Sequence, residues 1–135
     1  MGLDMYLRIE SKESTEDDKS FDERIAYWRK HGDLNAWFER LWTKKYNPQV
    51  TKRTVRFGDD EYEISAFNVE RVDLTLEDLQ ALLHDLLHGN LPKGNGPFHT
   101  GDLFNEDRLK EDVELIANAC VNAALGKKVY YICWW

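Results

Sequence analysis

The chain opens on Leu3-Asp4-Met5-Tyr6-Leu7-Arg8-Ile9, where apolar and polar side chains alternate with the period of two that a half-buried β-strand requires. Residues 11–20 break that pattern with four acids, four hydroxyl residues and two Lys in close succession, leaving nothing to bury, and read as a mobile acidic loop. From 21 to 46 the spacing predicts two helices. Ile25 and Trp28 share one face, Gly32 ends the first helix, and Asp33 caps a second carrying Leu34, Trp37, Phe38, Leu41 and Trp42. That second helix has more aromatic surface than one narrow stripe accommodates, so it is either nearly enclosed or turns a Trp toward a cleft.

Arg53 to Phe57, a Gly58-Asp59-Asp60 turn, and Tyr62, Ile64 and Ala66 running on to Val69 and Val72 predict a β-hairpin. A helix start follows: Thr75 caps, Asp78 stands where a capping box needs a carboxylate, and Leu74 can staple onto Leu79. Leu76, Leu79, Leu82, Leu83, Leu86 and Leu87 form its expected buried stripe, and Gly89 ends it. After a loop over 89–101, Asn105 is the expected cap of a long helix with Leu109, Val113, Ile116, Cys120 and Ala124 on its apolar face and Gly126 at its close. Residues 127–135 are aromatic and β-branched, a strand. The expected fold is α+β: a small antiparallel or mixed sheet of the two terminal strands plus the 53–72 hairpin, packed against about four helices. Without repeat or linker, 1–135 reads as a single domain.

Composition narrows the field. With 135 residues, 42% hydrophobic and five Trp, the chain can build a core, which excludes global disorder. No apolar run approaches the ~18 residues of a membrane span, and no basic-then-apolar leader follows Met1, so no membrane partner is expected. Two cysteines, Cys120 and Cys133, are too few for a disulfide framework and fit a reducing cytoplasm. A net charge of −7 argues against general nucleic-acid binding.

The opening Met1-Gly2-Leu3-Asp4-Met5-Tyr6-Leu7 resembles the start of a family of small uncharacterised proteins of tailed phages and prophages. Tyr27-Trp28-Arg29-Lys30 followed by Trp37-Phe38, the Leu74-Thr75 helix start, Gly89-Asn90-Leu91-Pro92, and Tyr130-Tyr131 with Trp134-Trp135 carry the same resemblance, in order, along most of the chain. It implies a phage origin, hence the cytoplasm of an infected bacterial host, and no particular chemistry. The chain departs from the family pattern at Leu34-Asn35-Ala36, where Ile-His-Lys is expected, and around Gly96, where a run of aromatics is expected.

Candidate chemistry is thin. The 89–101 loop holds four glycines and two prolines in thirteen residues, and Gly94 and Gly96 permit an anion-binding nest beside Lys93, Asn95, His99 and Thr100. It lacks the Gly-Lys-Ser/Thr of a P-loop and follows a helix rather than a strand; the plainer alternative is a crossover packed by Leu91 and Phe98. His84 and His88, one helical turn apart, can present two imidazoles to a metal with His99 as a third ligand, although their His-Asp-Leu-Leu-His text lacks the glutamate of zinc proteases. Two solvated histidines near a helix C-terminus are the plainer reading. Lys44, Lys45, Lys52, Arg53 and Arg56, with Arg29 and Lys30, are interleaved with Trp28, Trp37, Trp42, Tyr46 and Phe57, a basic and aromatic mixture suited to stacking and phosphate contacts. Each taken singly is as well explained by a helix end or an exposed strand. Residues 59–85 carry nine acids against one base, Arg71. Catalysis finds no opposed carboxylate pair and no serine elbow.

The expectation is therefore a non-catalytic accessory protein, plausible in counter-defence, that sequesters a small phosphorylated or nucleotide-like signal through Trp28, Arg29, Trp37, Trp42, Arg53, Arg56, Lys93, Asn95, His99 and Thr100. It needs no cofactor, and its surplus of aromatics suits a homo-oligomer. The alternatives are an acidic, DNA-mimic-like inhibitor of a host defence protein and a metal-dependent hydrolase at His84, His88 and His99.

Overall fold

A computed structural model describes residues 3–13, 15, 17–18, 21–92 and 106–135. Alternation does what it promised in β1 (Asp4–Ile9): Met5, Leu7 and Ile9 are buried while Asp4, Tyr6 and Arg8 face the other way. β1 pairs antiparallel on both sides, with β2 (Glu23–Arg29) and with β6 (Val129–Trp134). Met5 lies opposite Trp28 and Cys133, and Leu7 opposite Ala26 and Tyr131, so the inward side chains of three strands form one apolar sheet face. β5 (Val72–Leu74) adds Val72 and Leu74 to that face from the far side of β6. The resulting sheet runs β2-β1-β6-β5 and is antiparallel throughout.

The segment around Ile25 and Trp28 is thus a strand, not a helix. Its three-residue spacing fits a helix face, but Ala26 and Trp28, two apart, are the pair that goes inward, and a register shift at Leu7/Arg8 absorbs the misfit. Gly32 accordingly opens a helix instead of ending one. In α1 (Gly32–Tyr46) the cap is His31, whose ring accepts the Leu34 N–H, and Asp33 sits inside the first turn as a favourable charge.

β3 (Lys52–Phe57) and β4 (Asp60–Ser65) form the expected hairpin, turning at Gly58, which has φ +65°. It is a separate two-stranded sheet rather than a continuation of the terminal strands. In α2 (Leu76–Leu87) the Thr75/Asp78 capping box is present, and Leu79, Leu82 and Leu86 are buried, whereas Leu87 points to solvent. Leu74 is the last residue of β5 and reaches the core from there. α3 (Glu106–Ala124) buries Ile116 and Ala119 with Leu109, Val113 and Cys120 packed beside them; Ala124 is exposed. The expected Asn105 cap lies outside the described residues. Among the described residues there are three helices, one fewer than expected because β2 replaces the first.

All three helices contribute to one core cluster with the inward face of the sheet. Its centre is a stack of rings in which Phe38 lies 3.8 Å from Tyr131, nearly parallel, and Phe67 follows at 5.9 Å. Among the described residues no helix is long and apolar enough to cross a membrane.

Candidate ligand-binding face

Among the described residues the three helices pack with the Met5, Leu7 and Ile9 side of the sheet, and the outward phase of its strands makes the other side. Its side chains follow from register. Arg29, Asp4 and Trp134 form one row, Tyr27, Tyr6 and Ile132 the next, and Arg24, Arg8 and Tyr130 the third. Tyr27 and Trp134 are exposed, Tyr6 and Ile132 half-buried. The Tyr6 and Tyr27 rings are 5.3 Å apart and tilted by 45°. Tyr27 donates from its hydroxyl to Asp4 at 2.5 Å, and that bond above all lifts the phenol above its usual 10.0.

Guanidinium groups lie over these rings: Arg8 at 5.1 Å from the Tyr6 centroid and Arg24 at 5.6 Å from that of Tyr27. Among the described residues neither Arg24 nor Arg29 is ion-paired with a carboxylate, and the buried Arg8 Nε has no hydrogen-bond partner. The third row is closed at its end. Arg71 covers Tyr130 at 4.1 Å while bonding Glu10 and Asp73, and the Tyr130 hydroxyl donates to Asp22 at 2.5 Å. Burial and that bond push the Tyr130 phenol up to about 12. The open part of the face is therefore a platform of rings edged by cations, the combination that stacks a planar ring and receives an anionic group.

The residues singled out from sequence are distributed differently. Trp28 and Trp42 are core residues, 6% and 5% exposed, and Trp42 packs on Phe67. Half-buried Trp37 donates its indole N–H to Asp85 at 2.8 Å. Arg53 and Arg56 are exposed on the hairpin, where Arg56 pairs with Glu61 at 3.2 Å. Lys45 ties α1 to the start of α2 through Asp78 at 2.7 Å. Of that set only Arg29 belongs to the open sheet face. Lys93, Asn95, His99 and Thr100 lie outside the described residues.

His84 and His88 are exposed and stacked at 4.1 Å, with the His88 ring bonded to the His84 carbonyl. Among the described residues no group of three or more His, Cys, Asp or Glu is placed to hold a metal. A second polar cluster is buried. Asp112, 3% exposed, accepts from the Trp28 indole N–H at 2.8 Å and from His31 Nε2 at 2.7 Å. Since His31 Nδ1 accepts the Leu34 N–H, both ring nitrogens are committed, and the pair ties β2, α1 and α3 together.

Tyr6, Tyr27, Trp134, Arg8 and Arg24 escaped the sequence reading. Tyr6 and Arg8 were legible as the outward phase of β1. Tyr27 was hidden by the helical spacing of its segment, and Trp134 by a strand whose residues are nearly all apolar on both faces. No family model, curated protein or solved structure matches the chain.

Proposed function

We propose that the chain is a non-catalytic binding protein that sequesters a small phosphorylated, planar ligand of the nucleotide class on the open face of its four-stranded sheet. One observation carries the reading: Arg24 and Arg29, neither ion-paired with a described carboxylate, flank the adjacent Tyr6 and Tyr27 rings on the side of the sheet that the helices leave bare. A base stacks on Tyr27 or Trp134, and a phosphate meets the guanidinium groups, which offer paired N–H donors to its oxygens. The acidic whole disfavours long nucleic acid, whose affinity grows with the number of phosphates neutralised, but a small ligand needs only two or three cations. The resemblance of the strands and helix starts to tailed-phage proteins supplies the setting, a phage accessory protein that removes a host signal in counter-defence.

Calorimetry of the full chain against a panel of mono-, di- and cyclic nucleotides tests this. Saturable binding to at least one member is expected. Tyr27→Ala should weaken it about tenfold, the loss of one base–ring stack, and Arg24→Ala similarly. Arg53→Ala and Arg56→Ala, on the hairpin, should leave it unchanged. Absence of heat across the panel, or binding indifferent to Tyr27 and Arg24, overturns the proposal.

A further inference from the structure

Among the described residues the β3–β4 hairpin contributes nothing to the core cluster. None of its described side chains is buried, and neither Val55 nor Ile64 packs against the core cluster. Its attachment is at the base, where Ala66 N–H bonds the Thr51 carbonyl and Ser65 hydrogen-bonds Glu39 of α1. A two-stranded ribbon standing by itself in water is marginal, and ordinarily needs a third strand or a packing surface.

Register divides the ribbon into two unlike faces. Opposite pairs share a face, so Thr54 with Glu63 and Arg56 with Glu61 make one polar side, closed by the Arg56–Glu61 ion pair. The other side runs from Arg53 and Ile64 at the base, through Val55 and Tyr62, to Asp60 near the tip. Tyr62 is 50% exposed in the middle of it. This side is apolar at its centre, cationic at one end and anionic at the other.

Such a face is complementary to itself. Two ribbons laid face to face around a two-fold axis across the strands run base to tip, which sets the Arg53 end of one against the Asp60 end of the other. Val55 and Tyr62 then meet their own counterparts about the axis, as an isologous interface requires. We infer that the β3–β4 ribbon is a dimerisation arm whose apolar face packs on the same face of a second copy of this chain. The strands are short, so the interface falls below about 1,200 Å² in total, a size that suits a reversible, concentration-dependent dimer. It leaves the open sheet face available and does not depend on any ligand.

Sedimentation equilibrium over micromolar to sub-millimolar concentrations tests the inference. The wild-type chain should approach the mass of two copies. Tyr62→Glu should remain a monomer throughout with an unchanged circular dichroism spectrum, since the core does not use Tyr62. Arg53→Glu should weaken the dimer at least tenfold, and Arg53→Glu with Asp60→Arg should restore it by exchanging the charged ends. A monomeric wild-type chain at every concentration, a dimer indifferent to Tyr62→Glu, or a double reversal that fails to rescue overturns it. Nucleotide calorimetry on the monomeric Tyr62→Glu variant reads the sheet-face proposal separately.

Discussion

Asp112 has each carboxylate oxygen engaged by a different buried donor, the Trp28 indole on one side and the His31 imidazole on the other. Removing it strands two donors away from water, which costs more than the bonds contributed. Asp112→Ala should lower unfolding free energy by about 3 kcal/mol in urea titration. Asp112→Asn is not a neutral replacement. If its carbonyl keeps Trp28, its amide faces the His31 donor, and the ring relieves that clash only by giving up the Leu34 N–H. A loss of about 1 to 2 kcal/mol is expected for it. A wild-type midpoint in either variant would mean the cluster carries no stability. Trp28 and Trp42, both named from the sequence as ligand residues, lie in the core, Trp28 on Asp112 and Trp42 on Phe67; an indole in the text carries no mark of whether its N–H will meet a guest or a buried carboxylate.

At the scale of elements, α2 was the most legible part of the chain because cap, charge and leucine spacing agree on one answer. Thr75→Ala should cost about 1 kcal/mol by removing the oxygen that accepts the Asp78 N–H. Asp78 adds a pH dependence. Burial raises its pKa, but the Lys45 ammonium and the Thr75 N–H outweigh burial and hold it below the ordinary 3.8. A carboxyl held low in the folded chain stabilises it above 3.8, and that contribution is lost as pH falls through and below that value. The stability difference between wild type and Asp78→Asn should therefore be largest near neutrality and shrink as the medium is taken to about pH 3. A difference that stays constant would remove the ion pair from the account. β2 was illegible for the opposite reason. Glu-Arg-Ile-Ala-Tyr-Trp-Arg satisfies both a helical and a strand spacing, and only the neighbouring β1 decides between them. With that error went Tyr27 and Arg24, two members of the candidate face that no local reading reaches.

For the molecule as a whole, the sheet has one face sealed in the core and another on which Tyr27 and Trp134 are exposed. Cys133, 1% exposed on the sealed side, has its thiol pushed up to about 12 by burial, while Cys120 is only partly covered. A thiol reagent in native buffer should label Cys120 first, more slowly than an open thiol because burial raises its pKa, and reach Cys133 only through global opening. Added urea should speed the second event in step with unfolding. Two fast thiols would contradict the sealed sheet. The central pair of that sheet brings Ile9 opposite Val129, and Met5 opposite Cys133. A nascent chain therefore presents β1 with one of its two partner strands missing until β6 emerges, leaving Met5, Leu7 and Ile9 without that cover while every element between β1 and β6 is made. Folding slower than the chain's helical content would imply follows from that long-range pairing.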